Sequence, residues 1–378
     1  MGLIYQNVHP TFTATGSSSS TGGLFHPRNL ANQPVVQITY QPPASSATAP
    51  RVFFITPHRT SFDQAVTSSV WNTRGWVLQE RNLSRRIVLF AADQTFFECV
   101  RHSVGEDGLV LVGEKRLGSA DLPQGHDWAW CGIMEDYTAR NLTYAEDKLF
   151  AIEGMAANFV AKGAGDFCAG LAVGKALPLH LMWYAKEKAM EEIGFRKNTS
   201  WTKRAPSWSW AALEGTVWWE SYVLEARVTC VVEVIDYVSG LTADDSRVRE
   251  AKLLFRGLTV EMVRSHGTVA EEGRSGEIGG NMVYMIDFES HPASYLLLDA
   301  DGKTLGWGIF DRGDRVSGPF IASVVSRNEG ETTENAISFN ALILKELSSG
   351  GPGYVRVGMG ELTKLVGIEF KERQLRIS

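Results

Sequence analysis

Val70-Trp71-Asn72-Thr73-Arg74-Gly75-Trp76-Val77-Leu78-Gln79-Glu80 reads as a helical stretch ending near Asn82, and two apolar runs follow it, Ile87 to Phe90 and Thr95 to Val100. The four residues between those runs, Ala91-Ala92-Asp93-Gln94, suit a tight turn, so the runs read as a hairpin. A helix feeding a hairpin makes the front of the chain a mixture of α and β. Upstream, a short helix end (Met1 to Gln6) leads to a strand (Thr11 to Thr15) and a serine-glycine loop (Gly16 to Gly23). Residues 26 to 60 are rich in Pro, Ala, Gln and Ser, an irregular connection carrying edge strands at Val35 to Tyr40 and Val52 to Thr56.

Downstream, the polar, glycine-containing loop Gly105 to Gly125 precedes a helical middle. Asp127 is placed to cap a helix running through Arg140. Ala145 to Val160 and Leu177 to Glu191 supply two more, the last with Pro178 where a helix start tolerates it. After Arg204 the period changes to two. Leu224, Ala226, Val228, Cys230, Val232 and Val234 alternate with Glu225, Arg227, Thr229, Val231 and Glu233, the repeat of a strand with one buried face. Short apolar runs bounded by turn residues continue from Lys252 to Ile377, which predicts an antiparallel β barrel or sandwich. The expected organisation is 1–104, 105–204 and 205–378.

At 378 residues the chain is long enough for two or three cores, and 44% hydrophobic with 21% charged residues is the balance of a folded protein. The net charge of -6, from 37 basic and 43 acidic residues without a long run of either sign, offers no electrostatic footprint for nucleic acid or anionic lipid. No segment approaches the roughly 18 apolar residues of a membrane span, and the first residues lack a signal peptide's basic flank and apolar core. A soluble, cytoplasmic protein is expected, with no nucleic-acid or membrane partner. Cys99, Cys131, Cys168 and Cys230 stand more than thirty residues apart, so neither structural zinc nor a disulfide framework is expected, and Cys168 is the one thiol to test for reactivity. Eight of the eleven tryptophans fall between Trp128 and Trp219, which predicts an aromatic core there. Phosphate-loop, HExxH and GxSxG patterns are absent and the eight histidines are scattered, so spacing alone reveals no catalytic or metal site.

A series of segments in fixed order carries more. Met1-Gly2-Leu3-Ile4-Tyr5, Thr11-Phe12-Thr13-Ala14 and Gly23-Leu24-Phe25 are followed by Arg74-Gly75-Trp76-Val77-Leu78-Gln79-Glu80-Arg81-Asn82-Leu83-Ser84. Then come Phe97-Glu98-Cys99, the segment from Tyr137 through Arg140 and Asp147 to Leu149, and Arg204-Ala205-Pro206-Ser207-Trp208-Ser209-Trp210-Ala211. This order resembles the heterokaryon incompatibility (HET) domain, most closely at Arg74, Trp76, Leu78, Gln79, Glu80, Leu83 and Ser84, with Val77 where the family pattern has threonine. The resemblance implies a remnant of an α/β fold of Toll/interleukin-receptor (TIR) or flavodoxin-like type, its front strands and acidic helix lying before Met1. It implies a role in fungal non-self recognition and programmed cell death through a protein partner. The rival it implies is a TIR-like NAD hydrolase, with NAD as substrate rather than cofactor and its catalytic segment missing or supplied elsewhere. Glu80 is the weak catalytic candidate of that reading, and catalytic silence is the leading expectation.

The same residues have structural readings. Trp76 and Leu83 share a helix face as core anchors, and Gln79 and Glu80 cap the helix or bridge to Arg85 or Arg86. Trp208 and Trp210 are spaced for one side of a strand. Arg140, Asp147 and Arg204 are expected to be buried and paired, and Pro206 and Ser207 belong to the same structural motif.

Overall fold

The computed structural model describes residues 1–28, 36–43, 49–55, 59–111, 126–163, 165–174, 177–185, 205–219, 228–237, 251–268, 277–278, 281–282, 294–311, 317–329, 337–347, 353–363 and 369–378. The chain divides into two compact units, Met1–Ser119 and Ala120–Ser378. It is mixed α and β, mostly sheet with few helices.

In the first unit, helix α1 (Gly2–Asn7) and strand β1 (Thr11–Thr13) precede a two-stranded antiparallel ribbon of β2 (Val36–Tyr40) and β3 (Arg51–Ile55). The two predicted edge strands therefore pair with each other, and every position of both is exposed. A π-helical turn (Asp63–Thr67) and helix α2 (Val77–Leu83) lead to β4 (Arg86–Phe90), β5 (Thr95–Cys99), β6 (Ser103–Gly105) and β7 (Val110–Leu111). The helix expected from Val70 starts only at Val77. Residues ahead of it form successive turns, with the Ser69 hydroxyl donating to the Val66 carbonyl and the Asn72 amide to that of Thr67, alternatives to helical bonding that these side chains favour.

The sheet order is β1-β4-β5-β6-β7, and only β1–β4 is parallel. The predicted hairpin is the β4–β5 pair. Alternation directs Ile87, Leu89 and Phe96 to one face, where Val66, Ala91, Phe62, Ala65 and Trp71 complete a core. The Thr60 backbone N–H and hydroxyl both donate to Asp93 Oδ2 at 2.7 Å, tying the hairpin turn to the chain that enters this core.

The second unit holds helices α3 (His126–Thr138) and α4 (Phe150–Ala161), the hairpin of β8 (Asp166–Cys168) and β9 (Leu171–Val173), helix α5 (Leu177–His180), and the pair β10 (Tyr184–Ala185) and β11 (Val217–Trp218). Helix α3 starts at His126, so Asp127 lies inside the helix rather than capping it. Ala145–Lys148 is a separate 3-10 turn ahead of α4. The helix predicted from Leu177 stops at His180. Leu181, Met182, Trp183, Tyr184 and Ala185 are buried without a break, which suits strand pairing in a core and not a helix with one apolar stripe. Residues 186–191 of that prediction lie outside the described residues.

The predicted strand from Leu224 to Val234 is two strands, β12 (Val228–Cys230) and β13 (Glu233–Asp236), on different partners; 220–227 lie outside the described residues. With β14 (Leu253–Arg264), β17 (Ser294–Leu298), β18 (Thr304–Phe310), β19 (Phe320–Glu329), β20 (Ile337–Glu346), β21 (Tyr354–Thr363) and β22 (Lys371–Ile377) they make a nine-stranded sheet. Among the described residues, the strands β15 (Glu277–Ile278) and β16 (Asn281–Met282) pair only with each other, as a separate two-stranded sheet. The ladders of the nine-stranded sheet are antiparallel except for the single β21–β22 pair, and an additional β14–β19 ladder returns the path on itself. One face is a core of Leu297, Phe310, Phe320, Ala322, Val324, Ala341 and Ile343, among others. Gly308 and Gly360 lie opposite each other on β18 and β21, where a Cβ would come within 2.6 Å of Ile343 Cδ1 or 2.4 Å of the Trp307 carbonyl. Glycine there permits an approach of neighbouring strands that a side chain would block.

Candidate functional site

Helix α2 carries the sequence motif, and its residues separate sharply by environment. Val77, Leu78, Gln79 and Leu83 are buried, Trp76 and Glu80 are half-buried and Arg74 is exposed. Trp76 thus precedes the helix and is not one of its buried anchors. The Ser84 hydroxyl donates to the Glu80 carbonyl at 2.6 Å and lies 2.7 Å from the Thr11 hydroxyl, which ties the helix end to β1. The Gln79 side-chain amide meets no hydrogen-bond partner among the described residues, although it is 1% exposed. An orphan amide at that depth weakens the fold rather than supporting it.

Glu80 does not pair with Arg85 or Arg86, the partners that sequence proximity suggested. Arg81 turns instead to buried Glu98 on β5, with two bonds of 3.0 Å, and lies over the Phe62 ring. The partner of Glu80 is Tyr5 of α1, whose hydroxyl donates to the carboxylate, and Arg74 supplies a nearby positive charge. Burial raises the Glu80 pKa above its ordinary 4.5, against the lowering pull of Arg74 and Tyr5. Burial also pushes Tyr5 up, to about 12, with the charge of Glu80 and the bond to it adding to the effect. A carboxyl group that holds its proton above the ordinary range, beside a phenol and a guanidinium, is the one arrangement among the motif residues with acid–base character.

This predicts a specific pH dependence. Because Glu80 binds its proton more tightly in the folded state, its ionisation costs stability, and the cost appears as pH rises from the ordinary 4.5 through the higher folded value. Glu80→Gln should therefore gain on wild type in urea-unfolding midpoint as pH rises over that window, then run parallel above it. A gap that instead widens as pH falls would show that Tyr5 and Arg74 outweigh burial.

The downstream motif residues form a structural clasp. Ser207 N donates to the Ser378 carbonyl at 3.1 Å, and the Ser207 hydroxyl both donates to that carbonyl and accepts from Arg356 N at 3.0 Å. Pro206 and Trp208 are buried. Trp208 and Trp210 do not share a strand: Trp210 opens a 3-10 turn, Trp210–Ala212, that the Ser209 side chain caps. The indoles of Trp130 and Trp210 both donate to the Gly170 carbonyl, at 2.9 and 3.0 Å, and the Ser209 hydroxyl donates to that of Ala169 at 2.6 Å. Ala169 and Gly170, at φ of 48° and 83°, form the β8–β9 turn, and the clasp holds it.

The charges of the downstream motif fall differently from expectation. Arg140 is buried along its side chain and pairs with Asp136. Asp147 is half-buried, and its neighbour Lys148 is the buried charge, donating to the Leu213 carbonyl with its ammonium 5.6 Å from the Trp210 ring centre. Arg204 lies outside the described residues. Cys168 is buried, and burial pushes its thiol up to about 12, so it is the opposite of a reactive thiolate. Trp130, Trp183, Trp208, Trp210 and Trp219 are buried, as an aromatic core requires.

Sequence reading missed Tyr5 as a partner of Glu80, and it missed Arg356 with Asp311 entirely. Tyr5 is remote along the chain from α2, and Arg356 sits in an alternating strand pattern where an arginine reads as solvent-facing. Among the described residues no group of three or more His, Cys, Asp or Glu side chains is placed to hold a metal ion, and no helix is long and apolar enough to cross a membrane.

No curated protein and no solved structure matches the chain. A family model does, over residues 1–80, and its description is Heterokaryon incompatibility protein (HET). That span holds α1, β1, the exposed ribbon and α2 as far as Glu80, and over it the chain is similar to the heterokaryon incompatibility (HET) family.

Proposed function

We propose that the protein works in heterokaryon incompatibility by binding another protein, within non-self recognition and programmed cell death, and not by catalysis. The observation that carries this is the β2–β3 ribbon inside the matched span, where Val36, Ile38, Tyr40, Val52, Phe53, Phe54 and Ile55 are all exposed. Apolar residues gathered on one ribbon mark a surface that another molecule covers. The parallel pair β1–β4 of the first unit supports a likeness to TIR folds, and the returning β14–β19 ladder supports a barrel over a sandwich.

The NAD-hydrolase reading has one supporting observation, the half-buried Glu80 carboxyl group beside Tyr5 and Arg74, and the raised pKa of Glu80 counts against it. Stabilising the positive charge that develops as nicotinamide leaves needs an ionised carboxylate, and the Glu80 carboxylate already accepts the Tyr5 hydroxyl and faces Arg74. One experiment separates the two. Full-length chains are expressed in a filamentous host, and the incompatibility response is scored beside NAD turnover by the purified proteins. The expected result is no turnover above buffer, a lost response for Phe53→Asp/Phe54→Asp, and a retained response for Glu80→Gln. Turnover that disappears in Glu80→Gln, with the response, would overturn the binding reading.

A further inference from the structure

The register of the ribbon decides which of its side chains lie together. Val36 is opposite Ile55, Ile38 opposite Phe53 and Tyr40 opposite Arg51, while Gln37 is opposite Phe54 and Thr39 opposite Val52. Directly opposed residues of an antiparallel pair share a face. One face therefore presents Val36, Ile38, Tyr40, Phe53 and Ile55, with the single charge of Arg51 at a corner. The other mixes Gln37 and Thr39 with Val52 and Phe54. The five apolar side chains of the first face are 51%, 44%, 50%, 51% and 53% exposed. The ribbon is a two-stranded sheet of its own, so no third strand pairs with either edge among the described residues.

We infer that this face docks on the same face of a second copy of the chain, ribbon stacked on ribbon about a two-fold axis through the Ile38/Phe53 pair. The inference rests on the binding reading above and names the partner. Charge favours it. With the ends of the ribbons reversed, Arg51 of each copy lies over the apolar Val36/Ile55 end of the other, so no like charges meet and no acidic partner is called for. Area supports it as well. A buried aromatic side chain removes about 150–250 Å², so the half-exposed Tyr40 and Phe53 each offer roughly 100 Å² and the three aliphatic residues somewhat less. The two faces together then remove about 800 Å² of apolar surface, and the backbone and rim bring the total near the roughly 1,000 Å² lower bound of a specific interface. An isolated two-stranded ribbon is marginal in water, and stacking on a second one supplies the apolar layer it lacks. The product is a weak, reversible dimer that responds to concentration.

Light scattering coupled to size exclusion, on the full chain over about 1 to 100 µM, tests this. Wild type should pass from monomer to dimer across the series. Ile38→Lys and Ile38→Glu each place like charges at the axis and should weaken the dimer Kd at least tenfold. An equimolar mixture of the two should restore it. Thr39→Lys, on the other face, should dimerise as wild type does, and circular dichroism should show all three variants folded. A wild-type monomer throughout the range, or a mixture no tighter than its components, overturns the inference. If the chain is monomeric while Phe53→Asp/Phe54→Asp still abolishes the response in cells, the ribbon binds a different protein, so self-docking fails and the binding reading stands.

Discussion

Arg356→Ala is expected to cost the second unit about 3–5 kcal/mol, seen as a fall on the order of 10 °C in its Tm. Arg356 and Asp311 are both 0% exposed, and the guanidinium donates to the Asp311 carboxylate and to the Trp183 carbonyl. Its centre also stands 3.4 Å from the Trp183 ring centroid. The arginine thus joins β21 and the chain after β18 to the tryptophan that precedes β10. Burial lowers its pKa, and the Asp311 carboxylate opposes that shift in part, so each charge is tolerated through the other. Removing one partner leaves the other buried without its counter-charge, which is where the large cost arises. The double replacement Arg356→Met/Asp311→Leu should recover most of the loss, because it removes both desolvation costs. Arg373→Ala, which breaks the more exposed pair with Glu261, should leave the Tm close to wild type. A single-site Arg356→Ala melt that matches the Arg373→Ala melt would refute the role assigned to the buried pair.

Trp210→Ala should cost about as much, roughly 3–5 kcal/mol, by opening a cavity where a fully buried indole now packs against Tyr137. The sharper comparison lies between two conservative changes. Trp210→Phe deletes the indole bond to the Gly170 carbonyl and part of the ring above which Lys148 sits, and should cost about 1–2 kcal/mol. Trp208→Phe deletes an indole N–H that meets no acceptor among the described residues, so its loss of volume is partly offset by the removal of an unsatisfied buried donor. Urea melts at one pH should therefore rank Trp208→Phe as the milder change. The reverse ranking would mean that the Gly170 turn is held by Trp130 and Ser209 without help from Trp210.

Local patterns made a large part of the fold legible. The hairpin of β4 and β5 follows from two apolar runs around a four-residue turn, and the strands after Leu253 follow from short apolar segments between turn residues. Helix limits were less legible. The run from Leu177 has helix-forming residues, but continuous burial of 181–185 in a tryptophan-rich core ends the helix at His180. Local preference there yields to pairing with β11.

The motif around Glu80 shows the same division at the level of the site. Sequence alone determined which residues the motif contains, and the ordered segments from Met1 to Ala211 pointed to the family. It also determined that Trp208 and Trp210 belong to a core, since so many tryptophans in one stretch have few other ways to leave water. Only the tertiary structure decided who faces whom. Arg81, adjacent to Glu80 in the chain, turns to Glu98, while Tyr5, seventy-five positions away, donates to Glu80. Lys148 and Arg356 are buried because carbonyls, indole faces and Asp311 take them in, and charge partners of that kind are a matter of distance in space. Hydrophobic periodicity is written along the chain and is read there, but the energy of a buried charge depends on what the fold brings within a few ångströms of it.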